Sequence, residues 1–136
     1  MAYIKAISTF TPPSGNILTN SQLKEDFPDV DIDKIAKGVG VNQRYAAEEC
    51  QTASDLAYVA AKKMFDEWNI KPDIIDFIIF ATQSPDHFLP ASSCILQDRL
   101  GIPTTAGAFD FDLGCSGYAY GLAIAKSFVE SGLATN

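Results

Sequence analysis

The alternation of apolar and polar positions divides the chain into short elements joined by turn-forming residues. Tyr3 to Phe10 mixes β-branched and aromatic residues and runs into Thr11-Pro12-Pro13-Ser14-Gly15, so a strand is expected to end near Thr11. Thr19 and Gln22 have the spacing of a capping box, which opens a short helix. That helix stops at Phe27, because the ring of Pro28 steers the preceding residue out of the helical region. Asp31 to Lys37 reads as another short helix, and Gly38-Val39-Gly40-Val41 as a loop where the backbone bends. Thr52 and Asp55 repeat the capping-box spacing at the head of a longer helix. Its residues Ala53, Leu56, Ala57, Ala60 and Met64 fall on one face, and it ends near Trp68, ahead of Asn69 and Pro72.

Ile74 to Ala81 is almost continuously apolar, the pattern of a central strand buried on both faces of a helix-covered sheet. A loop from Thr82 to Pro90 leads into a helix from Ala91 to Leu100, broken by Gly101 and Pro103. Gly107 to Leu113 is expected as a strand, and Cys115 to Ser131 as a helix capped by Gly132. The order β, α, α, β, α, β, α implies a layered α/β domain with a mostly parallel sheet, a single domain over residues 1–136. The sequence stops just after a helix, where such a pattern continues into a strand, so the domain is expected to be incomplete.

Composition narrows the function classes. With 136 residues and 47% apolar and aromatic types, the chain is long enough to bury one core. A net charge of -7 and a pI near 4.4, with no basic stripe, exclude nucleic acid as a partner, since phosphate binding needs clustered Lys and Arg. The longest apolar stretch, around Phe77 to Ala81, is far below the roughly 20 residues needed to cross a bilayer. The start has no secretory signal pattern, so a cytoplasmic location is expected and no membrane partner. Cys50, Cys94 and Cys115 form an odd set without a CxxC pair, and His87 is the one histidine, so neither a disulfide framework nor a metal site is expected.

The informative segment is Phe109-Asp110-Phe111-Asp112-Leu113-Gly114-Cys115-Ser116-Gly117, where the chain passes from strand to helix within a few residues. Glycines flank Cys115, allowing a sharp turn and close approach of a substrate. A thiol at a helix N-terminus meets unpaired N–H groups and the positive end of the helix dipole, which favour its thiolate. The same N–H groups suit the oxygen of a thioester under attack, so Cys115 is the candidate nucleophile for acyl transfer. Gly117, Gly121 and Ala125 form a ridge of small residues, although glycine inside a helix costs about 1 kcal/mol relative to alanine. Another backbone packed on that ridge would offset the cost, which places the helix centrally and the thiol at the end of a narrow channel. Free cysteines are more often small apolar fillers, and Cys50 and Cys94 are read that way.

These residues resemble the active-site segment of 3-oxoacyl-(acyl carrier protein) synthase III. The likeness extends to the Thr19-Asn20 helix start, to Val39-Gly40-Val41-Asn42-Gln43-Arg44, to Ala81-Thr82-Gln83-Ser84-Pro85-Asp86-His87, and to Pro90-Ala91-Ser92-Ser93-Cys94 ahead of Leu100-Gly101-Ile102. The resemblance implies one half, the N-terminal, of a thiolase-like fold, with a buried central helix and with the C-terminal half absent. It implies that Cys115 takes an acyl group from acyl-CoA and that the acyl-enzyme then condenses with malonyl carried on acyl carrier protein, in fatty acid biosynthesis. The His and Asn used for decarboxylation come from the second half in the family, so His87 reads as a loop-ordering residue. Leu89 matches a position that reaches across the family's dimer to close the acyl pocket of the partner, and equally suits a leucine anchoring its own core. Lys34 and Gly38 stand where many members carry the Trp and Arg that sandwich the CoA adenine; Lys37 suits either a phosphate contact or a solvated helix position.

The resemblance thus implies acyl-CoA and acyl carrier protein as partners, a homo-oligomer, and no cofactor apart from the CoA thioester used as substrate. The alternatives are another thiolase-fold acyltransferase, such as a hydroxymethylglutaryl-CoA synthase or a secondary-metabolite synthase, and a non-catalytic module for dimerisation or carrier binding. On any of these readings the chain alone is not expected to complete a condensation, and its uncovered apolar surface is expected to favour self-association.

Overall fold

Both capping boxes read from the sequence start helices in the computed structural model, which describes residues 1–13 and 17–136. The Ser14-Gly15 part of the expected first turn lies outside the described residues. The chain forms two compact units, one of Thr11–Gln51 and the other of Met1–Phe10 with Thr52–Asn136.

In the smaller unit, β1 (Ile17–Thr19) pairs antiparallel with β2 (Gln43–Tyr45), Leu18 facing Arg44. The Thr19 side chain accepts the N–H of Gln22, whose own side chain accepts the N–H of Thr19 at 2.8 Å, and α1 (Asn20–Asp26) follows and ends at Phe27 as expected. Asp31 caps α2 (Ile32–Val39) through the N–H of Lys34 at 3.0 Å. The expected glycine loop is corrected: Gly38 and Val39 continue α2, and only Gly40, with φ of 74°, takes the left-handed conformation that ends it. The two short strands escaped the sequence reading because three residues are too few to show an alternating pattern. They are held by polar contacts, in which Arg44 donates to Asn20 Oδ1 at 2.8 Å and Asn20 Nδ2 donates to the carbonyl of Val41 at 3.0 Å.

The larger unit is layered. β3 (Phe77–Ala81) and β4 (Gly107–Phe111) run parallel, with Ile79 opposite Phe109. Side chains alternate across this pair. Ile78 and Phe80 turn toward α3 (Ala53–Trp68) and α4 (Ser92–Arg99), against Phe65, Leu96, Leu100 and Ile102. Phe77 and Phe109 turn toward α5 (Gly117–Ser131), where Phe77 meets Phe128 edge-on with ring centroids 4.8 Å apart. Burying each such large apolar side chain contributes about 1.5–3 kcal/mol, and that term holds the layers together.

Four expectations need correction. The apolar strand begins at Phe77 rather than Ile74, because Pro72–Ile74 form a 3-10 turn. The core-facing side of α3 carries Ser54, Ala57, Tyr58, Ala61, Met64 and Phe65, so Ala57 and Met64 lie where expected, whereas Leu56 and Ala60 are not among the residues packed on the core cluster. Tyr3 to Phe10 is not a strand: a strand exists only as one side of a hydrogen-bonded ladder, and no described residue forms one with this segment. Met1 to Ala6 instead borders an apolar cavity with Met64, Ile70, Ile75 and Val129. Finally, the described residues cover one face of α5 only, leaving Tyr118, on the other, 71% exposed. No helix among the described residues is long and apolar enough to cross a membrane.

Candidate active site

The chain leaves β4 at Phe111 and turns within Gly114-Cys115-Ser116-Gly117, where the N–H of Gly117 donates to the carbonyl of Gly114 at 2.8 Å. Cys115 occupies the second position of this turn, with Ser116 as the N-cap of α5 and Gly117 as its first residue. The thiol thus sits two residues ahead of the helix rather than within its first turn, and it is exposed, not deep in a channel. Ser116 has φ of -70° and ψ of -18°, a helical conformation, and its side chain makes no capping hydrogen bond. The N–H groups of Tyr118 and Ala119 have no acceptor among the described residues, so the start of α5, which follows Cys115 closely in the chain, presents unpaired donors.

The small-residue ridge meets a ring rather than a backbone. A Cβ on Gly121 would lie 3.4 Å from Phe111 Cζ, and one on Gly117 3.6 Å from the same ring, so the strand residue before the turn packs under the helix that follows it.

A second segment borders the turn. The Gln83 carboxamide lies 3.8 Å from where a Cβ on Gly114 would stand. Gln83 belongs to the loop of residues 82–90, whose base is fixed by the N–H of Thr82 on the carbonyl of Phe111 at 3.2 Å and by the N–H of Ser84 on Thr82 Oγ1 at 3.0 Å. Between this loop and β4 runs an open groove of about 370 Å³, lined by Thr82, His87, Phe88, Phe109, Asp110 and Asp112 among others.

Asp110, on the opposite face of β4 from Phe109, accepts the N–H groups of Ser92 and Ser93 at 2.6 and 2.7 Å and so closes the start of α4. Burial pushes the Asp110 carboxyl upward, but hydrogen bonds from Ser93 and Ser92 outweigh it and hold the group below its usual range. Ser93 Oγ is buried without a partner among the described residues. At the start of α3, hydrogen bonds from Thr52 and then Arg99 hold Asp55 below the usual carboxylate range, Arg99 lying 2.8 Å from it.

The candidates from the sequence are distributed unevenly. Cys115 and Leu89 lie in the larger unit, and Lys37 lies in the smaller one, exposed in the last turn of α2. Leu89 is 87% exposed, which removes its reading as an anchor of its own core. His87 is exposed on the groove-lining loop. Cys50 and Cys94 are also exposed, so neither is a buried filler. Sequence reasoning gave no role to Gln83, Asp86 or Asp110. For Asp110 a signal existed, since a carboxylate between two phenylalanines in an apolar strand needs a buried partner.

A two-sided layer of parallel strands, with the thiol turn leading from one strand into the helix beneath it, makes this chain a thiolase-like α/β protein. Comparison with protein-family models returns no match. The chain is 44% identical to the beta-ketoacyl-acyl carrier protein synthase III of Caldanaerobacter subterraneus subsp. tengcongensis over 88% of its own length and 36% of that protein. It is 41% identical to the protein of the same name from Helicobacter hepaticus over 96% of its own length and 39% of the relative. The crystal structure of beta-ketoacyl-acyl carrier protein synthase III from Thermus thermophilus matches with a TM-score of 0.81 and 32% identity, over 98% of this chain and 40% of that one. Over the part it spans, the chain is similar to beta-ketoacyl-acyl carrier protein synthase III. It spans about two fifths of the length of the relatives it matches.

Proposed function

We propose that this chain carries the nucleophile of a beta-ketoacyl-acyl carrier protein synthase III, with Cys115 as the acyl-accepting thiol. One observation carries the reading: the exposed thiol sits in a glycine-flanked turn directly before a helix in which the N–H groups of Tyr118 and Ala119 have no acceptor among the described residues. In the first step the Cys115 thiolate attacks the carbonyl carbon of an acyl-CoA. The new carbon–sulfur bond replaces the one to CoA, which leaves as a thiolate and takes up a proton. In the second, malonyl on acyl carrier protein loses carbon dioxide, and the resulting carbanion attacks the acyl-enzyme, forming the carbon–carbon bond and releasing the Cys115 thiolate. The unpaired N–H donors at the start of α5 suit the oxyanion of each tetrahedral intermediate. The groups that drive decarboxylation belong to the rest of the enzyme. Leu89, projecting from the loop, takes part in closing an acyl pocket at a homo-oligomer interface, and Lys37 meets a phosphate of CoA.

The test is acylation of the thiol. Incubation of the intact enzyme with acyl-CoA is expected to add one acyl mass at Cys115, and Cys115→Ser is expected to slow condensation by about three orders of magnitude or more. Iodoacetamide near neutral pH supplies a control that exposure cannot explain, because all three cysteines are exposed. Faster labelling of Cys115 than of Cys50 and Cys94 supports an activated thiol. Equal, slow labelling of the three, with no acyl adduct, would leave a non-catalytic module as the better account.

A further inference from the structure

The loop of residues 82–90 has a fixed base and a free tip, and one side chain divides them. Asp86 accepts the N–H of Ser54, in the first turn of α3, at 3.1 Å. The Thr52 hydroxyl lies 3.0 Å from both Asp86 Oδ2 and Asp55 Oδ2, sharing its one proton between them. The N–H of Asp86 donates to Ser92 Oγ, in the first residue of α4, at 3.1 Å. Ser54 and Ser92 are 1% and 0% exposed, so the loop is fastened to the interior. Arg99 secures one of these anchors, donating to Ser54 Oγ at 3.3 Å while it pairs with Asp55 and lies 4.6 Å above the Tyr58 ring. On one side of Asp86, Gln83 rests beside the Cys115 turn; on the other, Phe88 and Leu89 are 100% and 87% exposed.

We infer that Asp86 is a positioning residue, which fixes the 82–90 loop against the Cys115 turn and thereby governs which acyl groups reach the thiol. The inference rests on the reading of Cys115 as acyl acceptor. Helix α3 does not need Asp86 for its own start, since Thr52 and Asp55 already form its capping box. The second carboxylate comes from the loop and ties it to the start of α3, while the Asp86 backbone N–H ties it to the start of α4. No Asp86 hydrogen bond reaches the Cys115 turn among the described residues, so its effect on the thiol is transmitted by the loop that carries Gln83.

The test uses the intact enzyme and reads acylation of Cys115 by mass, with acetyl-CoA and hexanoyl-CoA in separate reactions, beside alkylation of the same thiol by iodoacetamide. In Asp86→Ala the ratio of the two acylation rates is expected to shift about tenfold or more, because small misplacements near a reacting centre are that costly. Iodoacetamide, too small to consult the loop, should alkylate at the wild-type rate. Asp86→Asn, which keeps the shape and an acceptor oxygen, should restore most of the ratio. Ser92→Ala, which removes only the acceptor of the Asp86 N–H, carries the same test at smaller amplitude if Asp86→Ala does not fold. An unchanged ratio in these variants, or an equal fall in acylation and alkylation, overturns the inference while leaving Cys115 as acyl acceptor. A wild-type enzyme that takes no acyl group at Cys115 overturns both.

Discussion

Three helices begin in the larger unit, and two of their starts are closed while the third is open. Helix α3 has its capping box and a further carboxylate from Asp86. Helix α4 has no cap from its own Ala91, but Asp110 reaches across from the neighbouring strand and takes its first two N–H groups. Helix α5 has Ser116 at its N-cap, a residue type well suited to capping, and the serine does not cap. The reason is geometric: a capping residue is normally extended, whereas the Gly114–Gly117 turn holds Ser116 in a helical conformation. The turn that contains Cys115 is therefore the same feature that leaves the N–H groups of Tyr118 and Ala119 without an acceptor among the described residues. Closed starts hold the layers; the open one is free to meet a developing negative charge.

If that contrast is sound, closing groups and the open turn should fail in different ways. The largest effect is expected from Asp110→Ala, which strips the acceptor from two N–H groups whose residues, Ser92 and Ser93, are fully buried. A lost cap combined with unsatisfied buried donors predicts a loss of about 2–4 kcal/mol in urea unfolding. A change below about 0.5 kcal/mol, the range of an ordinary surface substitution, would show that α4 does not depend on this carboxylate.

Acid should draw the same distinction with a smaller amplitude. The Asp110 carboxyl titrates below its unfolded-state value, so its contribution is complete above about pH 4 and is lost as pH falls through the lower, folded-state value. Asp110→Asn lacks this loss, and the stabilities of wild type and variant should converge as the medium is acidified. Some slope should remain in the variant. Burial raises the Asp76 carboxyl, yet hydrogen bonds from Thr135 and Asn136 bring it below its usual range, so it titrates in the same sense. Parallel curves for the two proteins would mean that Asp110 is not the group that responds.

The sequence disclosed the elements better than the joints between them. Thr19 with Gln22 and Thr52 with Asp55 marked two helix starts to the residue, because a capping box is local chemistry written in adjacent positions. The thiol turn was legible for the same reason, as were the end of α5 at Gly132 and the parallel strand pair. Asp110, Asp86 and Gln83 were not, since each acts on residues distant in the chain: Asp110 on Ser92 and Ser93, Asp86 on Thr52 and Ser54, Gln83 beside Gly114. Depth was misjudged on similar grounds. A row of small residues announces close packing but does not say whether a backbone or the edge of Phe111 supplies it.

That last distinction yields the smallest and sharpest test. If the glycines of this segment serve the turn, those around Cys115 are constrained, while Gly121, in the body of α5, is not. A methyl group at Gly121 would stand 3.4 and 3.7 Å from the Phe111 ring, ordinary van der Waals contact, and α5 would gain the helix propensity that glycine lacks. Gly121→Ala is accordingly expected to raise the unfolding free energy by several tenths to about 1 kcal/mol, with acylation of Cys115 unchanged. Gly107 supplies the contrast, because a methyl there would overlap the Phe77 ring, which Phe109 and Phe128 hold in place, so Gly107→Ala should destabilise. Should Gly121→Ala instead destabilise the enzyme, the helix body would be as constrained as the turn. The open start of α5 would then be one part of a tightly packed helix rather than a local device built around the thiol.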